Sequence, residues 1–318
     1  MASEFELIAR YFTRPVRRAA LGVGDDAALI ECAPGRQLAV TTDTMVAGTH
    51  FFVDTQAGPL GHKALAINLS DLAAVGARPL YALLALTLPK ADEAWIAEFA
   101  DGFFRLADSH DVELIGGDTT RGPLSITVTA IGETSPAKAL TRAGAREGDE
   151  IWVSGMLGSA ALAVLHLKGD LRLKGSDLAQ CLNRLHTPTP RVALGQALVG
   201  LATAAIDVSD GLVADLGHIC ERSRLGAQID YPVVPSAPEV TALRNVPLVQ
   251  GAILAGGDDY ELVFTAPAAA SRELVALSGR LAVALTRIGR MVAGSGVTVR
   301  DGSGKPVALA HEGFDHFR

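Results

Sequence analysis

Six short stretches set aspartates beside glycine or a hydroxyl residue, in or next to apolar runs, and they constrain this 318-residue chain more than any other feature. They are Gly22-Val23-Gly24-Asp25-Asp26-Ala27, Thr41-Thr42-Asp43-Thr44, Asn68-Leu69-Ser70-Asp71, Gly116-Gly117-Asp118-Thr119-Thr120, Asp207-Val208-Ser209-Asp210-Gly211 and Gly256-Gly257-Asp258-Asp259. An unpaired charge is costly to hold in such surroundings. Two carboxylates ~4 Å apart at an effective dielectric of ~20 repel by about 4 kcal/mol, so a fold that gathers several needs bound cations or protonation. Oxygen donors without a His/Cys grouping point to Mg²⁺, which takes one or two carboxylates, several waters and the oxygens of a substrate phosphate. The first reading is a metal-phosphate site.

Each stretch taken alone reads as a turn or a helix cap. Six in one chain shift the balance towards chemistry. The first also fits G-x-G-x-x-A, with Asp43 near the place of a ribose-binding acid, so a dinucleotide fold has to be weighed. Asp25 and Asp26 speak against it, because a Rossmann turn offers backbone N–H groups to a pyrophosphate that these carboxylates would repel without a metal. No G-x-x-x-x-G-K-[ST] sequence is present, so P-loop chemistry is excluded by motif. Thr42 has a hydroxyl and a carbonyl to offer a metal shell, and the Arg142 guanidinium suits a nucleotide phosphate. His50, in a loop after Gly48-Thr49, reads alone as a surface or packed residue.

Length and composition bound the rest. A chain this long favours two domains over one. With 49% hydrophobic and 20% charged residues it reads as globular, and apolar runs such as 80–88 are too short to span a bilayer. The start of the chain, with Glu4, Glu6 and Arg10, is no secretory signal, which predicts a cytoplasmic protein. Cys32, Cys181 and Cys220 support neither a disulfide framework nor a zinc site and read as buried small hydrophobes. A net charge of −7 argues against a nucleic-acid surface.

Periodicity predicts a helix over 4–12, a strand over 37–42 that delivers Thr42 and Asp43 at its end, and a helix over 58–75 with Asn68 and Asp71 on one face. A strand over 80–88 and a helix over 91–109 follow, the latter with Trp95, Phe99, Phe103 and Leu106 as its inner stripe. Short strands over 112–115 and 124–131 complete the first half. The polar stretch between Glu133 and Glu150 marks a boundary, giving domains of 1–137 and 148–318. The second half reads as a strand over 150–153, helices over 159–168 and 191–201, and a strand over 204–208. Strands alternating with helices imply mixed α/β architecture. The stretches 68–72 and 207–212, and 114–118 and 253–258, echo one another at similar spacing, which raises an internal duplication.

On these motifs the chain resembles the thiamine-monophosphate kinase family, of the superfamily that includes aminoimidazole ribonucleotide synthetase and selenophosphate synthetase. The likeness runs through 21–26, Ser70-Asp71-Leu72-Ala73-Ala74, 114–121, Ala139-Leu140-Thr141-Arg142, 206–212, 257–261 and Gly313-Phe314-Asp315-His316-Phe317. It implies an α/β (α+β) fold of two domains like aminoimidazole ribonucleotide synthetase, dimerising through the N-terminal domains to a homodimer. It also implies phosphorylation of thiamine monophosphate by ATP, with several Mg²⁺ ions. Metal positions carry over to Asp26, Thr41, Thr42, Asp43, Asp71, Asp118, Asp207 and Asp210, of which Asp43, Asp71, Asp118 and Asp207 serve catalysis. ATP contacts carry over to Gly117, Asp118, Arg142 and Ser209, and thiamine phosphate contacts to His50, Asp258 and Phe314. Asp258 and Phe314 stand where Glu and Tyr or Trp are familiar. Another ATP-dependent synthetase of the superfamily, a nicotinamide-dependent oxidoreductase and a non-catalytic nucleotide sensor stay open as alternatives.

Overall fold

The computed structural model describes residues 3–24, 26–136, 138–309 and 313. It forms two compact units, Met1–Leu72 with Ala77–Ala137, and Ala73–Gly76 with Lys138–Arg318.

The first unit opens with α1 (Glu4–Leu7), started by a capping box in which Ser3 and Glu6 each accept the other's backbone N–H. The predicted helix over 4–12 continues only as a π-helical turn, Ile8–Phe12. Then come β1 (Gln37–Val46), α2 (Ala57–Ala74), β2 (Arg78–Leu88), α3 (Glu93–Ser109), β3 (Glu113–Arg121) and β4 (Ser125–Thr134). The sheet has the order β1-β4-β2-β3, antiparallel except for the β2/β3 pair. Trp95, Phe99 and Phe103 stack along α3 with ring centroids 5.3 and 6.5 Å apart. A Cβ added at Gly102 would lie 1.8 Å from the carbonyl oxygen of Gly58, and one at Gly61 2.0 Å from that of Phe99. Helices α2 and α3 therefore touch backbone to backbone, and any larger residue there would force them apart.

Two motifs sit differently from the sequence expectation. The strand expected to stop at Thr42 runs on to Val46, because its alternation continues and pairs with β4 as far as Ser125. Thr41, Thr42 and Asp43 are therefore inside a strand. The stretch 116–118 is likewise part of β3, whose pairing with β2 continues to Arg121 past a bulge at Ala82/Leu83. Cys32 is exposed in a loop, whereas Cys181 and Cys220 are buried as expected, and all three are free thiols.

Glu113 at the start of β3 fastens the basic segment that precedes the first acidic loop. Its carboxylate accepts the N–H groups of Arg17 at 3.0 Å, Arg18 at 3.1 Å and Ala19 at 3.3 Å. Burial pushes its pKa up, but these donors and the Arg18 guanidinium outweigh it and hold the group below its ordinary 4.5. A depressed carboxylate adds stability that is complete above its unfolded pKa and lost as pH falls through the folded one. Glu113→Gln is thus expected to cost about 1–3 kcal/mol near pH 7. Urea melts across pH should show that gap narrowing below pH 4.5, and a pH-independent gap would contradict this role.

The second unit contains β5 (Glu150–Ser154), α4 (Ser159–Lys168), α5 (Gly175–His186), α6 (Val192–Leu198), β6 (Ala204–Asp207), α7 (Leu212–Ser223), β7 (Gly226–Asp230), α8 (Pro247–Ala255), β8 (Leu262–Ala266), α9 (Ser271–Leu281), β9 (Leu285–Val292) and β10 (Gly296–Arg300). Its sheet has the order β10-β7-β9-β5-β8-β6, antiparallel except for β10/β7. Ile151, Val153, Leu162, Leu216, Ile253 and Val263 lie at the centre of its core. The echo between the halves does not extend to structure. Leu114–Asp118 is strand while 253–258 ends a helix and enters a loop, and 68–72 is mid-helix while 207–212 joins a strand to a helix.

Candidate active site

Alternation along β1 places Thr41 and Asp43 on one face and Thr42 and Thr44 on the other. Opposite Thr41 and Asp43 runs α2, which brings Asp71 against them. The Thr41 hydroxyl donates to Oδ2 of Asp71. Burial, and then the charge and hydrogen bond of Asp71, raise the pKa of Asp43 above the usual carboxylate range. This pair is electrostatically uncomfortable by itself, and a cation would relieve it. The Thr42 hydroxyl faces away, 2.9 Å from that of Thr129, and bonds the Val128 carbonyl. His50 follows in the turn after β1, where its Nδ1 accepts the Val46 N–H at 3.0 Å. The neutral imidazole therefore carries its proton on Nε2.

Asp118 is exposed on β3, at the other edge of the same sheet. Asp43 pairs with Val128, Val128 with Leu84, and Leu84 with Gly117. That row places Asp43 about 14 Å from the 117–118 segment along the sheet. Gly117 has φ +146°, and an added Cβ would lie 1.9 Å from the Leu84 carbonyl oxygen, so only glycine fits. A pocket there is lined by the apolar Ile8, Phe12, Val23 and Leu114 together with Gly117 and Asp118. Asp26 is exposed in the loop closed by hydrogen bonds between Leu21 and Leu29. Asp25 lies outside the described residues. Among the described residues no three His, Cys, Asp or Glu side chains gather into a preformed metal cage.

In the second unit Asp207 ends β6 and is buried, while Ser209 and Asp210 are half-buried in the loop before α7. Arg142 is exposed, and its carbonyl accepts the Ser223 hydroxyl at 3.1 Å. The same hydroxyl oxygen accepts the N–H groups of Gly144 and Ala145, so Ser223 shapes this loop. Asp258 and Tyr260 both have left-handed φ, +69° and +50°. The Tyr260 hydroxyl donates to Oδ1 of Asp258 at 3.0 Å. Strain of this kind in residues with a Cβ collects at functional loops. Phe314 lies outside the described residues.

Three residues given no role above also shape this region. Asp259 accepts the Gly158 N–H at 2.7 Å just ahead of α4, and burial pushes its pKa well up. Glu261 makes a two-pronged pair with Arg191, with Nε to Oε2 at 2.6 Å, and also accepts the Ser154 hydroxyl at 2.5 Å. The run Asp258-Asp259-Tyr260-Glu261 was the available signal for two of them. Arg191, the first residue of the helix predicted over 191–201, gave none.

The models of AIR synthase related protein match this chain, the N-terminal domain over residues 24–134 and the C-terminal domain over 146–302. The thiamine-monophosphate kinase of Escherichia coli (strain K12) is 47% identical over 323 residues, covering 99% of this chain and 98% of that protein. The chain belongs to the thiamine-monophosphate kinase family. A crystal structure of the thiamine-monophosphate kinase from Stenotrophomonas maltophilia K279a superposes with TM-score 0.86 at 49% identity, covering 95% of each chain. AaThiL complexed with AMPPCP and TMP superposes with TM-score 0.78 at 31% identity, covering 93% of this chain and 92% of that one. The kinases of this family thus share both units of the fold with this chain.

Proposed function

We propose that this protein transfers the γ-phosphoryl group of ATP to thiamine monophosphate, giving thiamine diphosphate and ADP. The observation that carries the reading is the Asp43–Asp71 carboxylate pair, with Thr41 bonded to it, in a chain of this family. The relative bound to AMPPCP, whose triphosphate has the form of ATP's, and to TMP supports both substrates. In the reaction the bond from the γ-phosphorus to the β,γ-bridging oxygen breaks, and one forms from a phosphate oxygen of thiamine monophosphate to that phosphorus. The acceptor oxygen is already ionised at neutral pH, so no side chain has to remove a proton. Catalysis rests on positioning and charge neutralisation.

An all-oxygen set built around two adjacent carboxylates fits Mg²⁺. In the first unit Asp26, Thr41, Asp43, Asp71 and Asp118 would hold it, with Thr42 serving through its main-chain carbonyl, and in the second unit Asp207 and Asp210 are the candidate ligands. The distance along the sheet between Asp43 and Asp118 favours several ions over one. Bound Mg²⁺ supplies the positive charge that the triphosphate and these carboxylates share. In the first unit Gly117, whose bare backbone permits close approach, and Asp118 are the candidate nucleotide contacts, and in the second unit Ser209 and the Arg142 fork are. His50 would donate its Nε2–H to the acceptor phosphate, and Asp258, aimed by Tyr260, would meet the thiamine side together with Phe314. An assay with thiamine monophosphate, thiamine and aminoimidazole precursors tests the substrate. ADP release with thiamine monophosphate alone is the expected result, and turnover of another acceptor in its place would refute it.

The protein would work as a cytoplasmic homodimer through its first unit. Among the described residues no helix is long and apolar enough to cross a membrane. Support for the dimer comes from the outer face of edge strand β1, where Val40 is 63% and Leu38 39% exposed beside Thr42 and Thr44. An open, partly apolar edge of this kind invites pairing unless covered. Val40→Lys should turn a dimer into a monomer in sedimentation velocity, and an unchanged dimer would move the interface elsewhere.

A further inference from the structure

Ser209, Asp210 and Gly211 join β6 to α7, and their three successive N–H groups converge. Each donates to the same oxygen, Oδ2 of Asp215, at 3.0 Å. Asp215 stands in the first turns of α7 and is 2% exposed, so its carboxylate folds back onto the turn that precedes its own helix. Successive N–H groups around one anionic oxygen make the concavity with which proteins grip phosphates. Here the anion is internal. The loop's backbone is committed to Asp215, and what it offers outward are the side chains of Ser209 and Asp210.

The opposite side of the loop is committed as well. Asp258 N–H donates to the Ser209 carbonyl at 2.9 Å and Tyr260 N–H to the Val208 carbonyl at 2.8 Å. A Ser-Asp-Gly turn left to itself has several conformations open to it. With donors and acceptors both tied down, it has one. What the buried Asp215 carboxylate supplies to this turn is one oxygen that accepts all three N–H groups.

The geometry points to Asp215 as a positioning residue that sets the attitude of Ser209 and Asp210 towards the metal-nucleotide, an inference that rests on the phosphoryl-transfer reading above. It acts through the loop backbone and touches no substrate. Its effect should fall on turnover and on Mg²⁺ dependence, because a misplacement of ~1 Å in such a group costs about 10²-fold.

The test compares full-length wild type with Asp215→Ala and Asp215→Asn. Folding is followed by circular dichroism, turnover by thiamine diphosphate formation, and Mg²⁺-AMPPCP binding by calorimetry. Asp215→Ala is expected to lower kcat at least about thirtyfold and raise half-saturating Mg²⁺ about tenfold, with KM for thiamine monophosphate within about threefold. Asparagine keeps an acceptor oxygen in place and should recover at least about tenfold of that kcat loss. A folded Asp215→Ala variant with wild-type kcat and Mg²⁺ dependence would overturn the inference, since Asp215 would then be structural only. So would a folded Asp215→Asn variant as poor as alanine, which would make the charge itself the working group. Should the alanine variant fail to fold, Asp215→Asn decides alone: kcat within about tenfold of wild type supports positioning, and a loss of about 10²-fold overturns it. If wild type forms no thiamine diphosphate, the kinase reading falls by itself. Calorimetry then judges Asp215, with Mg²⁺-AMPPCP binding weakened or lost in the alanine variant relative to wild type as support, and equal binding, or no binding by wild type, as refutation.

Discussion

Asp43→Asn is expected to lower kcat by about 10²–10³-fold, the scale of removing one preorganised electrostatic partner of a transition state. The same change should leave the metal-free protein no less stable. Asp43 sits against Asp71 with its pKa raised by burial and by that neighbour, so a neutral amide removes a repulsion. Activity and stability should therefore move apart, which separates a functional carboxylate from a structural one. Steady-state kinetics beside thermal melts in chelator would show it. A variant that lost stability along with activity would place Asp43 among the packing residues.

The second large effect is on stability. Arg191 and Glu261 form a pair whose side chains are only 13% and 2% exposed. Removing one partner of a buried pair leaves an uncompensated charge and costs about 3–5 kcal/mol. Glu261→Ala should do this to Arg191 and also strip the Ser154 hydroxyl of an acceptor. In a unit of this size the loss corresponds to a Tm lower by about 6–20 °C. The double replacement Arg191→Met with Glu261→Leu should recover much of it, because the stranded charge goes with its partner. Calorimetry of wild type and the two variants tests this. Equal melting of Glu261→Ala and wild type would show the pair to be idle.

What was legible in the sequence was either local or chemical. The stripe Trp95, Phe99, Phe103 and Leu106 gives α3 its face within a few turns, and Phe99 and Phe103 are fully buried as that stripe requires. The aspartate-glycine stretches announced an oxygen-rich anionic chemistry without saying where each would fold. Thr41-Thr42-Asp43-Thr44 reads equally as the end of a strand or its middle, and only the pairing of Thr44 with Thr127 and Met45 with Ile126 decides for the middle. The second sheet was least visible. Its strands are mostly four or five residues long, and its order β10-β7-β9-β5-β8-β6 rests on partners far apart in sequence. Non-local contact also hid Arg191, which reaches Glu261 70 residues away. Asp215 lies beyond the strand predicted over 204–208, in a stretch given no element, and nothing in its spacing marks it as the acceptor of the turn before α7.

The acceptor oxygen of thiamine monophosphate is already an anion that can attack phosphorus directly, so the phosphoryl group should pass from ATP to its acceptor in one displacement. One displacement inverts the configuration at phosphorus, and two through a phosphoenzyme restore it. The direct measurement uses ATP made chiral at the γ-phosphorus by oxygen isotopes, with thiamine monophosphate as acceptor. It reads the configuration of the terminal phosphoryl group in the thiamine diphosphate formed. Inversion is the predicted result. Net retention, or no thiamine diphosphate at all, would contradict the account.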